Sequence, residues 1–89
     1  MLNLVRKSQF KKDFKKLLSS GKNLDKLALL IRTLQAQEPL PKSNRDHALT
    51  GNYIGYRECH VSSDWLLIYQ VTQTNLILVR TGYHSELFR

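Results

Sequence analysis

The stretch that decides the fold reads Arg57-Glu58-Cys59-His60-Val61, the turn Ser62-Ser63-Asp64, and then Trp65-Leu66-Leu67-Ile68-Tyr69-Gln70-Val71. Side chains alternate across a strand, so Arg57, Cys59 and Val61 share one face while Tyr56, Glu58 and His60 take the other. The second run is β-forming and apolar on both faces, with Leu66 and Ile68 on one side and Trp65, Leu67 and Tyr69 on the other. Such a strand belongs in the middle of a sheet that is covered on both sides. Residues 73–75 turn the chain again, and residues 76–81 supply a further strand before Gly82.

Upstream of this stretch the period is helical. Phe10, Phe14, Leu17 and Leu18 recur at i, i+4, i+7 and i+8, and Lys11, Lys12, Lys15 and Lys16 cover the opposite arc. Ser8 is the expected N-cap, and Gly21 is where this helix should stop. A second helix is expected from near Asn23, burying Leu24, Leu27, Leu30, Ile31 and Leu34, until Pro39 and Pro41 prevent its continuation. Leu2, Leu4 and Val5 make a short first strand. The expected order is β-α-α-β-β-β: an α+β domain with a two-helix hairpin on one face of a mostly antiparallel sheet. Residues 1–89 then form one domain, since 89 residues leave no room for a second.

Composition narrows the class. Residues 1–45 hold 11 basic and 3 acidic side chains, whereas residues 46–89 hold 3 basic and 4 acidic ones. The net charge of +7 therefore comes from the first half, while His47, His60 and His84 all lie in the second. A basic face of this kind either concentrates a polyanion or keeps a small protein soluble. The longest unbroken apolar run, residues 27–31, falls far short of the ~20 residues of a spanning helix. No secretory signal is evident, and a single cysteine, Cys59, excludes an internal disulfide and a cysteine-based zinc ribbon. A cytoplasmic setting is expected, without a membrane partner.

The strand pattern also predicts a site. If Cys59, Val61, Leu66, Ile68, Ile77 and Val79 pack under the helices, then Glu58, His60, Trp65, Tyr69 and Arg80 point the other way. That face is too polar to be core. Metal-independent RNA cleavage needs a base for the 2′-OH, an acid for the leaving 5′-oxygen and a cation for the phosphorane. The three histidines, Glu58, Asp64 and Arg80 supply those groups, and Trp65, Tyr69 and Phe88 supply rings for stacking bases. Each has a plainer reading: a strand histidine can be structural, Asp64 a turn former, Trp65 core, Arg80 a partner of Glu58 and Phe88 an anchor for the tail. Zinc ligation by the histidines and Asp64 lacks an HExxH-type spacing, so neither metal nor cofactor is expected.

The motifs Asp46-His47-Ala48-Leu49-Thr50-Gly51, Gly55-Tyr56-Arg57-Glu58-Cys59-His60-Val61, Asp64-Trp65-Leu66-Leu67-Ile68-Tyr69 and Arg80-Thr81-Gly82-Tyr83-His84-Ser85-Glu86-Leu87-Phe88 resemble the YafQ-type branch of the RelE/ParE toxin superfamily. The resemblance extends over essentially the whole chain, with specific motifs from Asp46 onward. It implies a RelE-like, microbial-ribonuclease-like fold and a type II toxin–antitoxin toxin. The implied activity is a ribosome-dependent endoribonuclease that cuts mRNA in the A site and stops translation. His47, His60, Asp64 and His84 match the family's functional positions, with Trp65 and Phe88 alongside, and Glu58 stands where relatives often carry Asp. The implied partners are the ribosome, through Lys11, Lys12, Lys15 and Lys16 on ribosomal RNA, mRNA, and a cognate antitoxin. That antitoxin is expected to be an acidic or flexible chain that dimerises through a DNA-binding domain, giving a heterotetramer. In the expected roles His84 is the acid, His60 or Asp64 the base, and His47 and Arg80 steady the phosphorane. The alternatives are a ParE-like gyrase-inhibiting toxin and a non-catalytic nucleic-acid-binding module.

Overall fold

The computed structural model describes residues Met1–Leu87. These form β1 (Asn3–Arg6), α1 (Ser8–Ser19), α2 (Asp25–Gln35), β2 (His47–Ala48), β3 (Arg57–His60), β4 (Trp65–Val71), β5 (Asn75–Tyr83) and α3 (His84–Leu87), with 3-10 turns at Lys42–Asn44 and Gly51–Tyr53. Among the described residues the sheet has five strands in the order β1-β5-β4-β3-β2. β1 runs parallel to β5, and every other pairing is antiparallel. The α+β class therefore holds, and two short elements absent from the expected order, β2 and α3, carry His47 and His84.

α1 and α2 bury Phe10 and Leu17, and Leu27, Leu30 and Leu34, in one core with β4 and β5. Leu18 is 59% exposed, contrary to the helical pattern: at ~100° per residue it lies about 80° round from Phe10, at the margin of the apolar arc. Ser8 is the first residue of α1 rather than its cap: Lys7 takes the cap position in an extended conformation and donates its N–H to the Leu78 carbonyl at 3.0 Å. Gly21 ends α1 as expected: at φ +78° it lets its own N–H reach the Leu18 carbonyl and that of Lys22 reach Leu17. The same closure ends α2, but there the left-handed position, φ 56°, is filled by Gln37.

The helix-facing side of the sheet differs from the expected one. Cys59 is paired with Leu67, and the Val61 N–H donates to the Trp65 carbonyl at 2.7 Å. Residues paired across antiparallel strands share a face, so Trp65, Leu67 and Tyr69 join Cys59 and Val61 under the helices. Leu66 and Ile68 lie opposite His60 and Glu58 and form a second, smaller core with Leu87, packed by Leu49, Tyr53, Tyr56 and Val79. The grouping of Leu66 and Ile68 with Cys59 is thus wrong by one residue, because the turn sets the relative parity of two strands and strand periodicity does not reveal it. On β5 it is Leu76 and Leu78, not Ile77 and Val79, that face the helices. A bulge opposite Ile68 and Tyr69 then shifts the register, so that Thr81 follows them on that face.

β1 pairs with β5 only through Leu78, because the chain turns into α1 at Ser8. Beyond that point Asp13 of α1 covers the edge, its Oδ2 accepting the Thr81 N–H at 3.2 Å. The αL position of Gln37 supplies a test of the helix ends. Replacing Gln37 by Gly removes a steric cost of about 1 kcal/mol against a smaller loss of chain entropy. The Gln37→Gly protein is expected to unfold at higher urea concentration, with an unchanged denaturant slope. A lower midpoint would show that the turn carries no strain.

Candidate active site

Three of the residues singled out from the sequence converge on the open end of the second face. β2 pairs with β3 so that His47 sits opposite Glu58, and Glu58 and His60 are two apart on one face of β3. The Glu58 carboxylate is almost buried, with only 9% of the side chain exposed, and each oxygen meets an imidazole: Oε2 lies 3.8 Å from His47 Nε2 and Oε1 lies 3.8 Å from His60 Nε2. The other ring nitrogens are tied down. His47 Nδ1 lies 2.7 Å from the Arg45 carbonyl and His60 Nδ1 lies 3.2 Å from the Ser63 carbonyl. A carbonyl only accepts, so Nδ1 is the donor toward it in both rings, and Nε2 is the nitrogen turned to Glu58.

The loop ahead of β2 makes this geometry. Arg45 stands at φ 47° and ψ 46°, the left-handed region, at the end of the turn Lys42–Asn44 that precedes His47. Asn44 fastens the same loop to β3, its side-chain amide donating to the His60 carbonyl at 2.7 Å. Asp46 anchors the other side, accepting from Arg57 Nε at 3.2 Å and from the Tyr69 hydroxyl. Those bonds raise the Arg57 guanidinium above its ordinary range. Burial, reinforced by the Asp46 carboxylate, raises the Tyr69 phenol as well.

The turn before β4 holds the remaining histidine nearby. The Asp64 carbonyl accepts the His84 N–H at 2.9 Å, one residue along from the carbonyl that holds His60. His84 opens α3, which docks through the buried Leu87 and so is not a free tail. Asp64 itself is exposed, and Ser63 Oγ donates to its Oδ1 at 3.1 Å. Arg80 does not pair with Glu58: its Nε and Nη2 donate to Asp13 at 2.8 and 3.2 Å, which raises the guanidinium above its ordinary range. Arg80 and Asp64 line one groove of about 550 Å³, with Lys12, Asp13, Lys16 and Glu86.

Two expected stacking residues are placed elsewhere. Trp65 and Tyr69 are 2% and 1% exposed in the helix-side core, so neither ring offers a face to a base. Trp65 donates Nε1–H to Thr81 at 3.0 Å, and Tyr69 holds Asp46. Their unexpected side of the sheet follows from the parity of the β3–β4 turn. Phe88 lies outside the described residues. Lys11, Lys12, Lys15 and Lys16 are all exposed, and Lys16 pairs with Glu86 at 2.7 Å. Sequence reasoning missed Asp13, Asn44, Arg45 and Asp46. Asp13 left a signal, a single acid among four lysines and only about 60° round from Phe10 on the helical wheel. Asp46 opens one of the family-like motifs but carries no role there, and Asn44 and Arg45 left no signal, since their roles rest on how the loop folds.

Among the described residues no group of three or more His, Cys, Asp or Glu side chains is disposed to hold a metal ion. Cys59, between Glu58 and His60 in sequence, faces the opposite core, and burial pushes its thiol up to about 12. At pH 8 the folded protein then keeps this thiol protonated and buried, so a thiol reagent is expected to label it only after unfolding. The unfolded chain gives up that proton from about pH 9, so stability is expected to fall between about pH 9 and 12. Rapid labelling of the native protein at pH 8, or a flat alkaline stability profile, would contradict this placement.

Comparison with known proteins follows the same outline. The sequence model of the family described as "Bacterial toxin of type II toxin-antitoxin system, YafQ" matches residues 2–89. The mRNA interferase toxin YafQ of Escherichia coli K12 is 42% identical over 81 residues, 90% of this chain and 88% of that protein. A copper-bound mutant toxin from Helicobacter pylori superposes with a TM-score of 0.94 at 48% identity, covering 99% of this chain and 100% of the other. YafQ in the E. coli DinJ-YafQ toxin-antitoxin complex superposes with a TM-score of 0.90 at 38% identity, over 99% and 98% of the two chains.

Proposed function

We propose, since this chain belongs to the YafQ family of bacterial type II toxin–antitoxin toxins, that it is an endoribonuclease that cleaves mRNA in the ribosomal A site and so halts translation. The observation that carries the reading is the buried Glu58 between two imidazoles whose Nδ1 atoms are held on carbonyls. Such an arrangement suits proton transfer at neutral pH without a metal. His60 Nε2 takes the 2′-OH proton, and Glu58 stands where the imidazolium charge forms. The freed 2′-oxygen attacks the adjacent phosphorus. His84 protonates the departing 5′-oxygen, and the products are a 2′,3′-cyclic phosphate and a 5′-hydroxyl.

His47 and Arg80 stabilise the phosphorane from either side of the reacting group. Asp64 is the alternative base, and its exposed carboxylate lies in the groove with Arg80. The exposed lysines of α1 continue the positive charge away from the site, in keeping with a contact to ribosomal RNA. Phe88 keeps the base-stacking role that burial denies to Trp65 and Tyr69. A cognate antitoxin is the expected cellular partner, as DinJ is for E. coli YafQ, and a dimerising antitoxin gives a heterotetramer. No helix among the described residues is long and apolar enough to cross a membrane; the proposed work at the ribosome places the protein in the cytoplasm.

Loss of a general acid or base costs about 10²–10⁴ in rate. The His84→Ala and His60→Ala proteins are therefore expected to fold and bind ribosomes but to lose codon-phased mRNA 5′ ends after brief induction. Normal cutting by folded His84→Ala protein would remove His84 from the chemistry, and a 3′-hydroxyl product would refute attack by the 2′-oxygen. Co-expression with a cognate antitoxin is expected to yield a complex. Recovery of free toxin alone would count against a tight partner.

A further inference from the structure

We infer that Asp13 is a positioning residue for Arg80, setting the direction in which the guanidinium meets the substrate phosphate. The inference rests on the ribonuclease reading above and on Arg80 acting in it. Asp13 Oδ2 accepts from Arg80 Nε at 2.8 Å and from the Thr81 N–H at 3.2 Å, while Oδ1 accepts from Arg80 Nη2 and from Gln9 Nε2, both at 3.2 Å. The carboxylate is thereby held by three residues, and only 12% of its side chain is exposed.

Closing the open edge of β5 needs a single acceptor for Thr81. The two-point contact with Arg80 goes beyond that need and fixes a long side chain that would otherwise sample many rotamers. A guanidinium has five N–H donors, and this contact consumes those on Nε and one on Nη2. The donors that remain are those on Nη1 and the second on Nη2. They belong to the edge of the guanidinium that Asp13 does not occupy, and they are the ones left for an anionic oxygen in the groove shared with Asp64. A neutral or shorter residue at position 13 leaves the charge of Arg80 in place but not its aim.

The test is a cycle of Asp13→Asn, Arg80→Ala and the double variant, read by single-turnover cleavage of mRNA on programmed ribosomes over a range of toxin concentrations. Asp13→Asn is expected to lower the maximal rate by about 10- to 100-fold, since small misplacements of a reacting group cost that much. The half-saturating toxin concentration should stay within about threefold, because Lys11, Lys12, Lys15 and Lys16 are unchanged in the variant. In the Arg80→Ala background the same change should cost nothing further. An equal loss in both backgrounds would overturn the inference and leave the role of Arg80 intact. A wild-type rate for folded Arg80→Ala would overturn both. Should Asp13→Asn fail to fold, Arg80→Lys makes the test from the other side. It keeps the charge but cannot make the two-point contact, so a wild-type maximal rate would reject the inference.

Discussion

The register between β3 and β4 is the constraint on which the other features depend. Because Val61 donates to the Trp65 carbonyl, Cys59, Val61, Trp65, Leu67 and Tyr69 all turn toward α1 and α2. The same pairing puts Glu58 and His60 over Ile68 and Leu66 on the other side. A slip of β3 by one residue would carry Glu58 and His60 into the helix-side core and turn Cys59 and Val61 to the site. The helix-side core is apolar, so that slip would place a charge against hydrocarbon. That penalty is what makes the register specific.

Carboxylates organise the site from three directions, each by a different means. Asp46 ties the loop before β2 to Arg57 and Tyr69, bringing His47 to the edge of β3. Glu58 lies between the two imidazoles and carries the negative charge of the cluster. Asp13 joins α1 to Arg80 and to the edge of β5. Each is part of the tertiary fold as well as of the site, so the groups nearest the chemistry are held by the packing of the sheet. This is the rigid support on which the proposed proton transfer and phosphate recognition rest.

The charge distribution acquires a meaning from this arrangement. The lysines of α1 are exposed and lie on the helix that also lines the groove containing Arg80 and Asp64. Positive charge thus runs from the helix surface to the groove's edge, while the imidazole cluster occupies β2 and β3. In the proposed reaction the helix attracts and orients the polyanion, and the less charged half of the chain handles the protons. Long-range attraction falls away with added salt, whereas the hydrogen bonds that set the ring tautomers do not depend on it.

Much of this was legible from the sequence. Helical spacing located Phe10, Leu17, Leu27, Leu30 and Leu34, strand alternation located the central strand, and the histidines and Glu58 stood out as groups able to move protons. These features are local, set by the spacing of residue types along an element. What the tertiary structure alone decided was parity and partnership. The turn at Ser62-Ser63-Asp64 placed Trp65 and Tyr69 in the core, the bulge on β5 brought Thr81 to the helix side, and a two-residue strand brought His47 to Glu58. Asp13 found Arg80 across a sequence separation of 67 residues. No pattern within a single element encodes such pairings. They arise when each buried donor and charge seeks its partner as the sheet closes between its two apolar layers.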